Sequence, residues 1–531
     1  MADGPFAGDF VPDIVKQFVH YLYRHIRERN IPEIQSMYEI SFPKLSERYF
    51  KSGPWPQVDL VSDLVDQDHV FCLLYKELYF RHLFAKTQPG LRARCESWDN
   101  YCELFGVILH GNVNMQLPVQ WLWDMVDEFL YQFQSFCQYR SKLAHKSAEE
   151  IELLRQCDKV WAPLDVLNVL QALVDKSGAV AAIEADGGAA LLATGGYPPG
   201  SSNVLPLLGY FSLLGQLRVH SLIGDYATGL SALYPLNLFE RRSLLTAQLP
   251  PAHISLFYYA SFAYLMLRRY SDAARSLNAI LAYVARVKAF HTRNSAYEQM
   301  LKKNEQMYAL LACTVALCPA VQKGLDEGVL VQLREKYADK LQRMARGDEA
   351  PFEELFSYGC PKFVSPAPPS YDNPQATNVQ EAFRQQLGAF LKEVRACSGL
   401  PLLKQYLLLY SSISVPKLAS LLDMDDGALR QALMALKNKN YVMAWEPAAG
   451  ADMLGGSFVS VADIDFYIDV DPASGAELII VNEAVGARQL VEAEVLSRHI
   501  LKLQQITKEL SVAPVSVAAA PAAHVGAASA Y

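Results

Sequence analysis

Basic charge is scarce where a nucleic-acid reader would need it. Between Pro401 and Val485, five basic residues (Lys404, Lys417, Arg430, Lys437, Lys439) face eleven acidic ones (Asp423, Asp425, Asp426, Glu446, Asp452, Asp463, Asp465, Asp469, Asp471, Glu477, Glu483). Binding a polyanion depends on Lys and Arg displacing phosphate counterions, and an acidic stretch opposes that. The whole chain has a formal charge of -8, which gives no chain-wide nucleic-acid signature.

Other absences narrow the field. The nine cysteines (Cys72, Cys95, Cys102, Cys137, Cys157, Cys313, Cys318, Cys360, Cys397) never stand at CxxC spacing. No second Cys or His pair complements Cys95 with Cys102 or Cys313 with Cys318, so they read as buried free thiols of a reducing compartment. The uncharged window Ser243–Leu267 is interrupted by Pro250-Pro251, whereas a membrane span needs roughly 20 continuous apolar residues. Met1-Ala2-Asp3-Gly4-Pro5 lacks the basic-then-apolar pattern of a secretory signal, and the expected location is cytoplasmic. There is no G-x-x-x-x-G-K-[ST], H-E-x-x-H or G-x-S-x-G run. Gly195–Gly200 is interrupted by Tyr-Pro-Pro and lacks the successive free N–H groups that cradle a phosphate. His20 and His25 are five apart, and His110 and His220 read as structural. We expect no catalytic residue, no cofactor and no metal ligand.

What is present is long, apolar and periodic. The 531 residues are 51% hydrophobic and 20% charged, enough for several domains with substantial cores. Compositional breaks divide them. We expect an N-terminal helical domain over 10–178, a flexible Ala/Gly-rich linker over 179–202 and helical repeats over 203–364. A winged-helix region over 375–485, a terminal helix over 486–511 and a disordered Ala-rich tail over 512–531 complete the set. Trp121–Tyr139 is apolar nearly all round, which predicts a buried core or interface helix; base stacking is the alternative reading of its aromatics. Leu207–Ile223 with Ala227–Leu236, and Ile254–Leu267 with Ser271–Val287, read as two helical hairpins resembling tetratricopeptide units. Tyr226 and Tyr270, like Leu233 and Leu277, stand 44 residues apart.

The C-terminal third has another rhythm. Leu402–Tyr410 is helical and Ser411–Ser414 extended; Val415–Leu422 and Asp426–Lys437 form two helices around a turn. Tyr441–Trp445, Phe466–Val470 and Leu478–Val481 are strand-like. This is a winged helix with a small antiparallel β-wing, and its acidity points to a protein partner. An exposed wing edge (Phe466, Ile468, Val470, Leu478, Ile480) is the expected partner interface. In the terminal helix, Leu496, Leu503 and Leu510 stand seven apart with Ile500 between them. That stripe either packs on its own winged helix or joins helices of partner chains. The most basic stretch, 268–303, offers Arg268, Arg269, Arg293, Lys302 and Lys303 as RNA contacts; its alternative reading is the solvated face of a helical repeat.

Predominantly α-helical repeats capped by an acidic winged helix and a terminal helix resemble the PCI module. That module is shared by the proteasome lid, the COP9 signalosome and translation initiation factor 3. The runs LLYKELYFRHLFAK (73–86), QWLWDMVDEFLYQFQSFCQYR (120–140), LGYFSLLGQLRVHSLIGDY (208–226), FAYLMLRRYSDAARS (262–276) and ADIDFYID (462–469) are similar to the subunit L family of that factor. The resemblance implies a non-catalytic scaffold subunit with other subunits of the factor, K and E among them, as partners. It further implies contact with the small ribosomal subunit and mRNA through the complex, in 43S preinitiation complex assembly. A lid or signalosome subunit, or an RNA-binding repeat protein, is the alternative. The 179–202 stretch and the tail after 511 depart from the family pattern.

Overall fold

The structure is a computed structural model and describes residues 11–111, 113–198, 200–239, 244–288, 295–372, 379–450, 452–462, 464–472, 475–482 and 492–512. It is predominantly helical, as the apolar periodicities predict. In chain order come α1 (Asp13–Glu28), α2 (Ile31–Ser36), α3 (Phe42–Tyr49), α4 (His69–Lys86), α5 (Leu91–His110) and α6 (Val119–Ser141). Then follow α7 (Ala148–Gln156), α8 (Pro163–Ser177), α9 (Ala179–Asp186), α10 (Ala189–Ala193), α11 (Val204–Ile223) and α12 (Tyr226–Ser231). Helices α13 (Pro250–Met266), α14 (Tyr270–Lys288), α15 (Ser295–Leu317), α16 (Glu327–Ala345), α17 (Ala350–Gly359) and α18 (Glu381–Ser398) continue the array. The last part holds α19 (Leu400–Leu409), β1 (Ser412–Ser414), α20 (Val415–Leu421), α21 (Asp426–Lys439), β2 (Tyr441–Ala444) and β3 (Ser457–Ser460). After them come β4 (Asp465–Val470), β5 (Glu477–Asn482) and α22 (Glu492–Val512).

Two compact units result: Met1–Leu402 with Ala432–Val461, and Leu403–Gln431 with Ala462–Tyr531. Residues 432–461 fall in the first unit, where the β2–β3 hairpin packs on α14.

In the helical unit, α6 buries Trp121, Met125, Phe129, Phe133 and Phe136 completely or nearly so, fulfilling the core reading of its aromatics. Trp121 Nε1 donates to Glu77 Oε2 at 3.1 Å, and Tyr101 OH to Glu77 Oε1 at 3.5 Å, so this fully buried carboxylate has partners. Helix α11 is buried on nearly every side and is packed by α6, α8 and α13. Gly209 permits this closeness: a Cβ there would collide with Ser177 and come within 2.9 Å of the Leu173 carbonyl.

The repeat reading has a direct structural counterpart. Tyr226 and Tyr270 are the first residues of α12 and α14. Their hydroxyls donate to Gln386 Oε1 at 2.6 Å and Glu393 Oε1 at 3.0 Å, two turns apart on α18. Residues 179–202 are more structured than the expected linker. They contain α9 and α10, Gln116 Nε2 donates to the carbonyls of Pro198 and Ser201, and the Val119 N–H donates to Tyr197 OH at 3.2 Å. Apart from Val512, the last residue of α22, the expected Ala-rich tail lies outside the described residues.

Candidate protein-interaction surfaces

Of the basic stretch, Arg269 is 4% exposed and spends its donors inside the helical unit. Its Nε donates to Asp272 Oδ2 at 2.8 Å, Nη1 to the Leu454 carbonyl at 2.6 Å and Nη2 to the Gly455 carbonyl at 2.9 Å. Asp272 in turn accepts the Trp445 N–H at 3.0 Å, although burial raises its carboxyl above the usual range. Arg275 lies over the rings of Phe239 and Trp445, at 4.6 and 5.3 Å from their centroids. Together these contacts clamp the β2–β3 hairpin and its 445–456 connection to the α13–α14 turn. Arg268 takes up the left-handed φ of +62° at that turn, and its Nε meets Glu393 Oε2 at 3.0 Å. Lys303 is folded over Tyr258, and Lys302 is exposed. Arg293 lies outside the described residues. Arg269 thus has internal partners, whereas Arg268 pairs with Glu393 while its side chain stays 63% exposed.

In the second unit, β1, β5 and β4 form one antiparallel sheet in that order. β4 pairs with β5 on one side, and no described strand pairs its other side. The edge expected at Phe466–Val470 is therefore at β4, while Leu478 and Ile480 stand on the middle strand. Register separates the five expected residues, because directly paired residues share a face. Phe466 pairs with Val481 and Ile468 with Ile479, whereas Tyr467 pairs with Ile480 and Asp469 with Leu478. Phe466, Ile468 and Val470 share the face of the buried Ile479 and Ile413; Leu478 and Ile480 occupy the other. Along that inner face exposure rises from 3% at Phe466 to 41% at Ile468 and 55% at Val470. The strand outruns its own core.

Helix α22 is bare along its apolar stripe: Leu496, Ile500, Leu501, Leu503 and Ile506 are all exposed. The Leu510 side chain lies outside the described residues. Helix α21, the second of the two helices expected around a turn, has cations that are already paired. Arg430 Nη2 is bound to Glu477 Oε2 at 2.7 Å, and Lys439 to Glu393.

Sequence reading missed Asp272 and Trp445 as anchors of the hairpin, missed Glu393 as the shared partner of Arg268, Tyr270 and Lys439, and missed β3. A lone Asp three residues after an Arg looks like any surface i,i+3 pair; only the tertiary partners, some 170 residues away, make it a hub. Among the described residues no group of three or more His, Cys, Asp or Glu side chains is placed to hold a metal. No single described helix is long and apolar enough to cross a membrane.

The family described as Paf67, RNA polymerase I-associated factor PAF67, matches residues 93–503. Eukaryotic translation initiation factor 3 subunit L of Nematostella vectensis is 45% identical over 470 residues, covering 87% of each chain. The Homo sapiens protein of that name is 41% identical over 524 residues, 93% of this chain and 91% of its own. The Danio rerio protein is 40% identical over 536 residues, 96% and 90% respectively. With identity at this level running through nearly the whole length of both partners in each alignment, this chain belongs to the eukaryotic translation initiation factor 3 subunit L family.

Proposed function

We propose that the chain is a non-catalytic scaffold subunit of the eukaryotic translation initiation factor 3 complex, acting in the cytoplasm in 43S preinitiation complex assembly. Subunits K and E are its expected neighbours, and it reaches the small ribosomal subunit and mRNA through the complex. Near-full-length similarity to subunit L proteins supports the membership. The observation that carries the scaffold reading is the bare stripe of α22, with Leu496 61%, Ile500 54% and Leu503 62% exposed. Burying a side chain of this size is worth about 1.5–3 kcal/mol, so a helix that keeps three in water is built to be covered by another chain. The sheet edge at β4 is a second surface to which a neighbour's strand can add.

The test is affinity purification of the tagged chain, with mass spectrometry and sucrose-gradient sedimentation, for the wild type and for Ile500→Glu/Leu503→Glu. The reading expects initiation factor 3 subunits and co-migration with small ribosomal subunits for the wild type, and loss of both for the variant. Recovery with lid or signalosome subunits would overturn it.

A further inference from the structure

Two of the nine thiols meet in the helical unit. Cys95 lies in the second turn of α5, and Cys157 directly follows α7, 62 residues later. Cys95 Sγ donates to Cys157 Sγ at 3.8 Å, and both are free thiols with part of their surface open to solvent.

The backbones that carry the two sulfurs are fixed at this approach. Trp161, four residues beyond Cys157, is fully buried, and its Nε1 donates at 3.0 Å to the carbonyl of Arg94, on the peptide bond that leads into Cys95. Its ring lies 4.9 Å from that of Trp98 and 5.1 Å from that of Phe129, so the α7–α8 connection is docked on α5 and α6. The Cys157 N–H donates to the Leu153 carbonyl at 3.0 Å, and the Cys157 carbonyl accepts the Val160 N–H at 3.1 Å. On the α5 side, Arg94 Nη1 donates to Ser135 Oγ at 2.9 Å. A disulfide needs its sulfurs about 2 Å apart, so what remains is about 2 Å of side-chain movement.

Burial first, and then the neighbouring Cys157, push the Cys95 thiol up to about 12. Cys95 therefore stays protonated at neutral pH and is a poor first nucleophile, which leaves the first attack to Cys157. We propose that Cys95 and Cys157 form a redox-responsive dithiol: two thiols at rest that close into one intramolecular disulfide when a peroxide reaches them. The Cys157 sulfur attacks one oxygen of hydrogen peroxide and the O–O bond breaks. The departing hydroxyl leaves as water with the thiol proton, and a sulfenic acid remains on Cys157. The Cys95 sulfur then attacks that sulfur. The S–S bond forms, the S–O bond breaks, and the second hydroxyl leaves as water with the Cys95 proton. Together the two sulfurs lose two electrons, and the peroxide is reduced to two waters. The closed loop takes in the rest of α5 with all of α6 and α7, so the aromatic helix α6 becomes part of a covalent ring.

The test uses the purified full chain, first reduced and then treated with hydrogen peroxide. After an acid quench the remaining thiols are alkylated with N-ethylmaleimide, and the chain is mapped by mass spectrometry without reductant. The expected result is the loss of two thiols from the nine, a linked peptide joining Cys95 to Cys157, and the return of both thiols with dithiothreitol. In Cys157→Ser, Cys95 should be oxidised at least about tenfold more slowly, because no sulfenic acid forms beside it. The proposal is overturned if the wild type keeps both thiols, or if either one goes on to a sulfinic acid without the linked peptide. Oxidation of Cys95 as fast in Cys157→Ser as in the wild type also overturns it. Mapping of the wild type decides the question even if the variant folds poorly.

Discussion

At the scale of single residues, the chain places its most consequential charges where no solvent reaches. Asp272 is 2% exposed and binds both Arg269 and the Trp445 N–H. Asp272→Asn keeps the shape but leaves the Arg269 guanidinium without a counter-charge, a change that costs about 3–5 kcal/mol. Thermal melting should fall accordingly, and hydrogen exchange at the Trp445 amide should rise by more than at α6 amides. An equal rise everywhere would show that the clamp does not act locally. His253 gives a second prediction. It is 9% exposed, its Nδ1 lies 3.0 Å from Thr246 Oγ1, and burial pushes its pKa down to about 4. The folded state therefore resists a proton that the unfolded chain accepts near 6.5. The stabilisation is whole above pH 6.5 and is lost as the pH falls toward 4, by about 3 kcal/mol across the window. His253→Gln removes that titration, so between pH 7 and pH 5 the wild type should lose more melting temperature than the variant. Parallel losses would exclude His253 as the source.

At the scale of elements, close packing depends on what is missing from Gly209. Its hypothetical Cβ meets the α8 backbone at the Leu173 carbonyl, which cannot swing aside as a side chain would. Gly209→Ala should destabilise by about 2 kcal/mol despite the better helix propensity of Ala. In contrast, a Cβ at Gly388 in α18 meets nothing within 4 Å, and Gly388→Ala should stabilise by about 1 kcal/mol. Denaturant unfolding of the two variants decides the matter, and a shift of the same sign in both would contradict the packing argument. Elements with strong periodicity were legible in the sequence: α6, α11, the second hairpin (α13 and α14) and the three expected strands stand where the patterns place them, whereas α12 ends at Ser231, short of the expected Leu236. The 44-residue spacing of Tyr226 and Tyr270 even marks the two hydroxyls that reach α18. What could not be read was set by contacts distant in sequence. The Ala/Gly composition of 179–202 suits a linker, but the segment is held by Gln116 and Val119, some 80 residues earlier. The five wing residues were grouped by exposure, while their division between two faces follows from the β4–β5 register, which no local pattern contains. Arg268 and Arg269 look basic and free until Glu393 and Asp272 are brought to them.

At the scale of the whole molecule, the two units differ in what holds them together. The helical unit has the continuous core, with Trp121, Trp161, Tyr258, Phe262 and Tyr308 fully buried or nearly so. The second unit has a three-stranded sheet, short helices and an α22 whose apolar residues remain in water. Folding and assembly should therefore separate experimentally. Deleting Glu492–Val512 removes side chains that contribute little burial to the isolated chain, so the main thermal transition should stay within a few degrees of the wild type. The same deletion takes away the surface through which the chain would enter a helical bundle, and each lost Leu or Ile was to bury about 1.5–3 kcal/mol of favourable contact there. Three or four such residues amount to several powers of ten in affinity. The truncated chain should fold, remain helical by circular dichroism and sediment alone, apart from initiation factor 3 subunits. If it instead lost its main thermal transition, α22 would be part of the fold, and the bare stripe would be covered by its own chain. If it kept its place in the complex, the sheet edge at β4 or another surface would carry the assembly in place of Leu496, Ile500 and Leu503.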